Sequence, residues 1–152
     1  MAPSRIDARV NSQPSPSGLR VKPRILVADD DAEMRALLTL VLQNDGYEVI
    51  TCADGTRLVE YLEALWGPPS PVDIDLMICD MRMPGLTGLE VLERLGRRPG
   101  FPPMILMTAF GDPHIHQHAR QLGVYASLDK PFEVDQLLDL VHARLSDAPP
   151  AH

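Results

Sequence analysis

The amino-acid sequence predicts an α/β protein, a three-layer sandwich in which a doubly wound, parallel five-stranded sheet lies between two layers of helices. Three observations predict it. Five short apolar runs are spaced along the chain, and most lack the in-and-out alternation of a strand with one wet face, so they suit a sheet covered on both sides. Helical patterns or helix caps separate them, which makes five strands and five helices in strict alternation. The chain has 152 residues, 45% of them apolar, enough for one domain with a full core.

The elements follow in order. Residues 1–23 hold Pro3, Pro14, Pro16 and Pro23, several serines and almost no apolar periodicity, and are expected to be a disordered N-terminal extension. Arg5, Arg9, Arg20 and Lys22 against Asp7 make that extension basic on an acidic body; a solvated tail is the simpler reading. The first strand is Ile25-Leu26-Val27-Ala28. Met34, Leu37, Leu38, Val41 and Leu42 then follow the i, i+3, i+4, i+7 rule of a one-faced helix. Val49-Ile50-Thr51-Cys52 is the second strand. Leu58, Leu62 and Leu65 share a face of the second helix, with Trp66 as packing near its end. Leu76-Met77-Ile78-Cys79 is the third strand. Thr87-Gly88-Leu89-Glu90 fits a capping box at the start of the third helix. Met104-Ile105-Leu106-Met107 is the fourth strand. Asp112-Pro113 sets a capping acid before a proline at the first position of the fourth helix. Ala126-Ser127-Leu128 is a weaker fifth strand, and Val134, Leu137, Leu138, Val141 and Leu145 mark the fifth helix. The expected folded domain is 24–146, with 147–152 a flexible C-terminal tail.

Composition excludes several classes of function. Fourteen basic against 21 acidic side chains leave a net charge of -7, so there is no general attraction to nucleic acid or to an anionic membrane. No run of 18 apolar residues is present to form a transmembrane helix, and the N-terminal stretch lacks the apolar segment of a signal peptide. Two cysteines, Cys52 and Cys79, fit neither a disulfide framework nor a zinc site. The expected setting is reduced and cytoplasmic.

In an open parallel α/β sheet, ligands sit beyond the carboxyl ends of the strands. Asp29, Asp30 and Asp31 follow the first apolar run, Asp80 the third, Thr108 the fourth, and Lys130 with Pro131 the fifth. Each alone has an ordinary explanation: a cap with solvated charge, a turn, a strand residue, a surface lysine. Together they place polar groups from four strands on one rim. Two carboxylates about 4 Å apart repel by roughly 4 kcal/mol at an effective dielectric of about 20, so converging acids need a cation. Hard oxygen ligands open to water suit Mg²⁺ better than zinc. Such a site suits phosphoryl transfer, with Asp80 as nucleophile, Thr108 bonding a phosphoryl oxygen and Lys130 pairing first with carboxylate and then with phosphate.

Ile25 to Asp30, Asp80 with Met83-Pro84-Gly85, Thr108-Ala109 and Lys130-Pro131-Phe132 together resemble the response-regulator receiver domain of two-component signal transduction, the CheY-like superfamily. The resemblance spans nearly all of 24–146. Met107-Thr108-Ala109-Phe110-Gly111-Asp112 is further similar to receivers attached to bacterial enhancer-binding regulators. The family implies a flavodoxin-like (βα)5 fold with strand order 2-1-3-4-5. By position it implies Asp80 as phosphoacceptor, Asp30 as direct Mg²⁺ ligand, Asp29 as its water-mediated partner, and the backbone carbonyl of Arg82 as a further ligand. It implies Thr108 and Lys130 as switch hydroxyl and phosphate-pairing lysine, a small Ala109 beside the incoming phosphate, and a cis Lys130-Pro131 bond.

Implied partners are a sensor histidine kinase or a histidine phosphotransfer protein upstream. Downstream is a protein target on the face of the fourth helix, fifth strand and fifth helix, with homodimerisation open. The expected function is a stand-alone, non-enzymatic signalling domain with self-catalysed phosphotransfer and dephosphorylation only.

One position departs from the family. Where members commonly carry Tyr or Phe three residues before the lysine stands Ser127; Tyr125 has the strand parity for a partial substitute, and activation is expected to rely on Thr108 and loop movement, with weak or absent aromatic coupling. His114, His116 and His118 cluster after Pro113; His114 and His118 are one turn apart, and a solvated helix face is the simpler reading. Two rivals are set aside. A haloacid-dehalogenase-type phosphatase would use Asp29 and Asp31, but Glu33 stands where a Thr or Val is usual. A pseudo-receiver that binds without phosphorylation would have broken motifs, and every charged position here is filled.

Overall fold

The computed structural model describes residues 22–67, 73–109 and 112–146. The expected tails at 1–23 and 147–152 lie outside them apart from residues 22 and 23, and the Pro23 carbonyl accepts the Glu48 amide at 2.9 Å. The element order is β1 (Arg24–Ala28), α1 (Ala32–Asn44), β2 (Glu48–Cys52), α2 (Gly55–Leu65), β3 (Leu76–Asp80), α3 (Gly88–Leu95), β4 (Met104–Thr108), α4 (Pro113–Gln121), β5 (Ala126–Asp129) and α5 (Val134–Leu145). All strand pairs are parallel, in the order β2-β1-β3-β4-β5. The expected α/β architecture and strand order are both found.

Strand alternation builds two cores rather than one. Ile25, Val27, Leu76, Ile78, Ile105 and Met107 face one way and pack with Leu38 and Leu42 of α1 and Leu137 and Val141 of α5. Leu26, Ala28, Met77, Cys79, Met104 and Leu106 face the other way, onto Leu58 and Leu62 of α2, Val91 and Leu92 of α3 and Ala119 of α4. Both faces of β1, β3 and β4 are therefore dry, which is why their runs are apolar without a break. The edges β2 and β5 are only partly covered.

The helix starts are local. Asp31 caps α1 by accepting from the amides of Glu33 and Met34, and Asp54 caps α2. Thr87 and Glu90 form the expected capping box at α3, and Asp112 accepts from the His114 amide ahead of α4. One expected apolar face is narrower than read: Leu37 of α1 is 42% exposed, while Met34 and Val41 pack against the core beside the buried Leu38 and Leu42. Trp66 packs against the α2–α4 core, with the Arg98 guanidinium 4.1 Å from its ring centre.

Candidate functional site

Register sets the rim. Ala28 pairs with Cys79, so Asp29 and Asp80 stand level at the ends of β1 and β3. Thr108 closes β4 opposite Asp129 of β5, and Lys130 follows at once. Four strands thus deliver their polar residues to one edge, as the spacing of motifs predicts.

The aspartate triplet divides its labour. Asp29 is fully buried, and its carboxylate accepts from the Asp31 amide at 2.9 Å. Asp30 is exposed at the mouth, and Asp31 serves as the α1 cap. Asp80 is 6% exposed. The Lys130 ammonium lies 3.2 Å from Asp29 Oδ2 and 3.3 Å from Asp80 Oδ1, bridging the two buried acids. Its Lys130-Pro131 bond is cis.

The electrostatics follow from burial. Desolvation first, and then the neighbouring Asp29, push the Asp80 carboxyl up to about 6 against the opposing pull of Lys130 and of the Arg82 amide that hydrogen-bonds to it. Burial works against the Lys130 ammonium, yet the Asp80 and Asp29 carboxylates outweigh it and hold its pKa above the ordinary lysine value. One ammonium faces three acids, so the site is short of positive charge. Asp29, Asp30 and Asp80 each offer a carboxylate oxygen, all within 4.8 Å of one another. An all-oxygen set of this size and charge fits a small, hard divalent cation such as Mg²⁺. Arg82, exposed, lines the open cavity in front of Asp80 together with Asp30 and Pro84.

Thr108, 1% exposed, does not point its hydroxyl proton at Asp80. It donates to Asp129 Oδ1 at 2.9 Å. The same oxygen lies 2.6 Å from His116 Nε2, and His116 Nδ1 bonds to the Ser127 hydroxyl. Asp129 and His116 carry no role in the sequence reading. The signal for Asp129 was present in strand parity, since it shares a face with Ser127. His114 and His118 are exposed, as a solvated helix face requires, and His118 is 3.3 Å from Glu93. Tyr125 does not join Ser127. It precedes β5, packs with the α1–α5 core, and donates its hydroxyl to the Leu140 carbonyl at 2.9 Å.

Residues 25–142 match the model of the response regulator receiver domain. Transcriptional regulatory protein FixJ of Bradyrhizobium diazoefficiens is 35% identical over 133 residues, 88% of this chain and 62% of FixJ. The chain therefore spans less than two thirds of that relative. Sporulation initiation phosphotransferase F of Bacillus subtilis is 30% identical over 118 residues, 78% of this chain and 90% of that protein. Among solved structures, response regulator protein TrrA of Thermotoga maritima in complex with Mg(2+)-BeF superposes with a TM-score of 0.68 at 30% identity, covering 81% of this chain and 99% of that one. Sequence, topology and rim agree from β1 into α5, and the chain belongs to the response regulator receiver domains of two-component systems.

Proposed function

We propose that the chain accepts a phosphoryl group on Asp80 from a phosphohistidine of a sensor kinase or phosphotransfer protein, with Mg²⁺, and signals by a change of conformation. The observation that carries this reading is the position of Asp80: nearly buried, at the mouth of a cavity, bridged by Lys130 to Asp29 and within reach of Asp30. An Asp80 oxygen attacks phosphorus, the N–P bond breaks, and the imidazole leaves with the electron pair. Asp29, Asp30, Asp80 and the Arg82 carbonyl would hold Mg²⁺, which supplies neutralising charge to the transferred oxygens. Lys130 is already poised between two carboxylates and exchanges one of them for phosphate. Its compact ammonium suits that point-charge role. Water then hydrolyses the acyl phosphate, so no separate catalytic activity is assigned.

The added charge of up to about -2 shifts a pre-existing equilibrium between two forms. Output passes by protein contact through α4, β5 and α5. The Asp31 carboxylate caps α1 instead of facing Asp29, which weighs against a haloacid-dehalogenase mechanism.

The test is intact-protein mass after phosphoramidate with Mg²⁺. Wild type gains one phosphoryl group and Asp80→Asn does not. No gain in wild type would favour a pseudo-receiver, and a gain retained in the variant would name another acceptor.

A further inference from the structure

Thr108 has a single hydroxyl proton, and it is committed to Asp129 Oδ1 at 2.9 Å, away from Asp80. Asp129 is a half-exposed side chain that would otherwise sample many rotamers; its side chain is 49% exposed. His116 removes that freedom. Its Nε2 lies 2.6 Å from the oxygen that Thr108 uses, and its ring is only 20% exposed.

Proton bookkeeping gives the network one direction. Hydrogen bonds from His116 and then from Thr108 hold the Asp129 carboxyl below its ordinary range, so it is ionised and can only accept. His116 Nε2 must therefore carry a hydrogen. The Ser127 hydroxyl, which can donate or accept, completes the bond at Nδ1. Donation to one Asp129 oxygen thus comes from His116 Nε2 and from the Thr108 hydroxyl.

We propose that His116 is a positioning residue for phosphorylation: by clamping Asp129 it keeps the Thr108 hydroxyl turned away from the phosphoacceptor, and so holds the resting form. The inference rests on the phosphoacceptor reading of Asp80. It adds a residue on α4, and with it a route from the site to the helix surface. Ala119 is the one buried residue of α4, so this helix has few apolar ties to the sheet. When Thr108 turns to a phosphoryl oxygen, Asp129 loses one of two donors and its hold on His116 changes. Coupling is reciprocal, so weakening the clamp at α4 favours the phosphorylated form.

The test is titration of the full chain with beryllofluoride, a phosphoryl mimic, in the presence of Mg²⁺, read from amide spectra. His116→Ala is expected to bind it roughly fivefold more tightly than wild type, at the low end of ordinary couplings. Asp129→Ala is expected to bind at least as tightly, and adding His116→Ala to it should change nothing more, because His116 acts through Asp129. His116→Gln, which keeps a donor near the Nε2 position, should return to the wild-type value. A merely structural role predicts additive losses and no rescue. Should His116→Ala not fold, His116→Phe fills the same space without donating and is read the same way. Equal affinity in wild type and His116→Ala, or full additivity in the double variant, overturns the clamp. Wild type failing to bind beryllofluoride overturns the phosphoacceptor reading itself, and the clamp falls with it.

Discussion

Asp80 is the residue on which burial and chemistry pull in opposite directions. Its carboxyl holds a proton more tightly in the folded chain, up to about 6, than at its ordinary value of 3.8. Between those values the folded state binds more protons than the unfolded one, so stability falls as pH rises through that window and is flat above it. Asp80→Asn removes the loss. Without divalent ions at pH 7.5 the variant should be more stable than wild type by about 1 kcal/mol, less than the full shift implies because Lys130 loses one of its two acids. The gap should close near pH 4. Urea midpoints at the two pH values check both the sign and the window. The arrangement fits the proposed metal site: the repulsion that costs stability in the free protein is what would draw a cation.

Elements carry those residues to the rim, and close backbone contacts set how near they come. Gly88 begins α3 directly behind β3, its amide donating to the Met81 carbonyl at 3.0 Å. A Cβ there would meet Leu106 Cδ1 at 2.6 Å and the Asp80 carbonyl oxygen at 2.8 Å. Gly88→Ala should therefore cost about 1–3 kcal/mol in a urea titration and also slow phosphoramidate labelling, since the atom displaced belongs to Asp80 itself. Thr87→Ala, which removes the cap of the same helix at the wall of the cavity in front of Asp80, should cost about 1 kcal/mol and slow labelling less than Gly88→Ala does. On α1 the two neighbours Leu37 and Leu38 look equivalent in the periodic pattern, but one is 42% exposed and the other fully buried. Leu38→Ala should cost about 2–5 kcal/mol and Leu37→Ala within about 0.5, a contrast that thermal melts resolve easily.

At the scale of the whole molecule, the sheet makes one acidic cluster out of residues 51 positions apart in the chain, Asp29 and Asp80, and closes it with Lys130, 101 positions from Asp29. Ligand binding to such a site stabilises only the folded state. Mg²⁺ at about 100 times its dissociation constant should raise wild-type stability by about 2.7 kcal/mol, and Asp30→Ala should lose most of that gain while keeping its metal-free midpoint, because Asp30 is exposed. Chemical denaturation with and without Mg²⁺ separates the two effects.

Most of the fold and the five rim side chains were legible in the order of residues. Unbroken apolar runs announce strands dry on both faces, Thr87 and Asp112 start helices within a few residues, and a polar group at the end of a run lands on the carboxyl rim whatever else the fold does. These are local or periodic signals, and chain order carries them. Contacts between elements are another matter. That Leu37 faces out, that Tyr125 ties itself to Leu140 rather than joining Ser127, and that His116, Ser127 and Asp129 lock Thr108 depend on how α4 and α5 dock on β5. Side chains from separate elements meet there at angles and distances that no spacing along the chain encodes, and a donor chooses its acceptor only once the packed sheet has brought the two within about 3 Å.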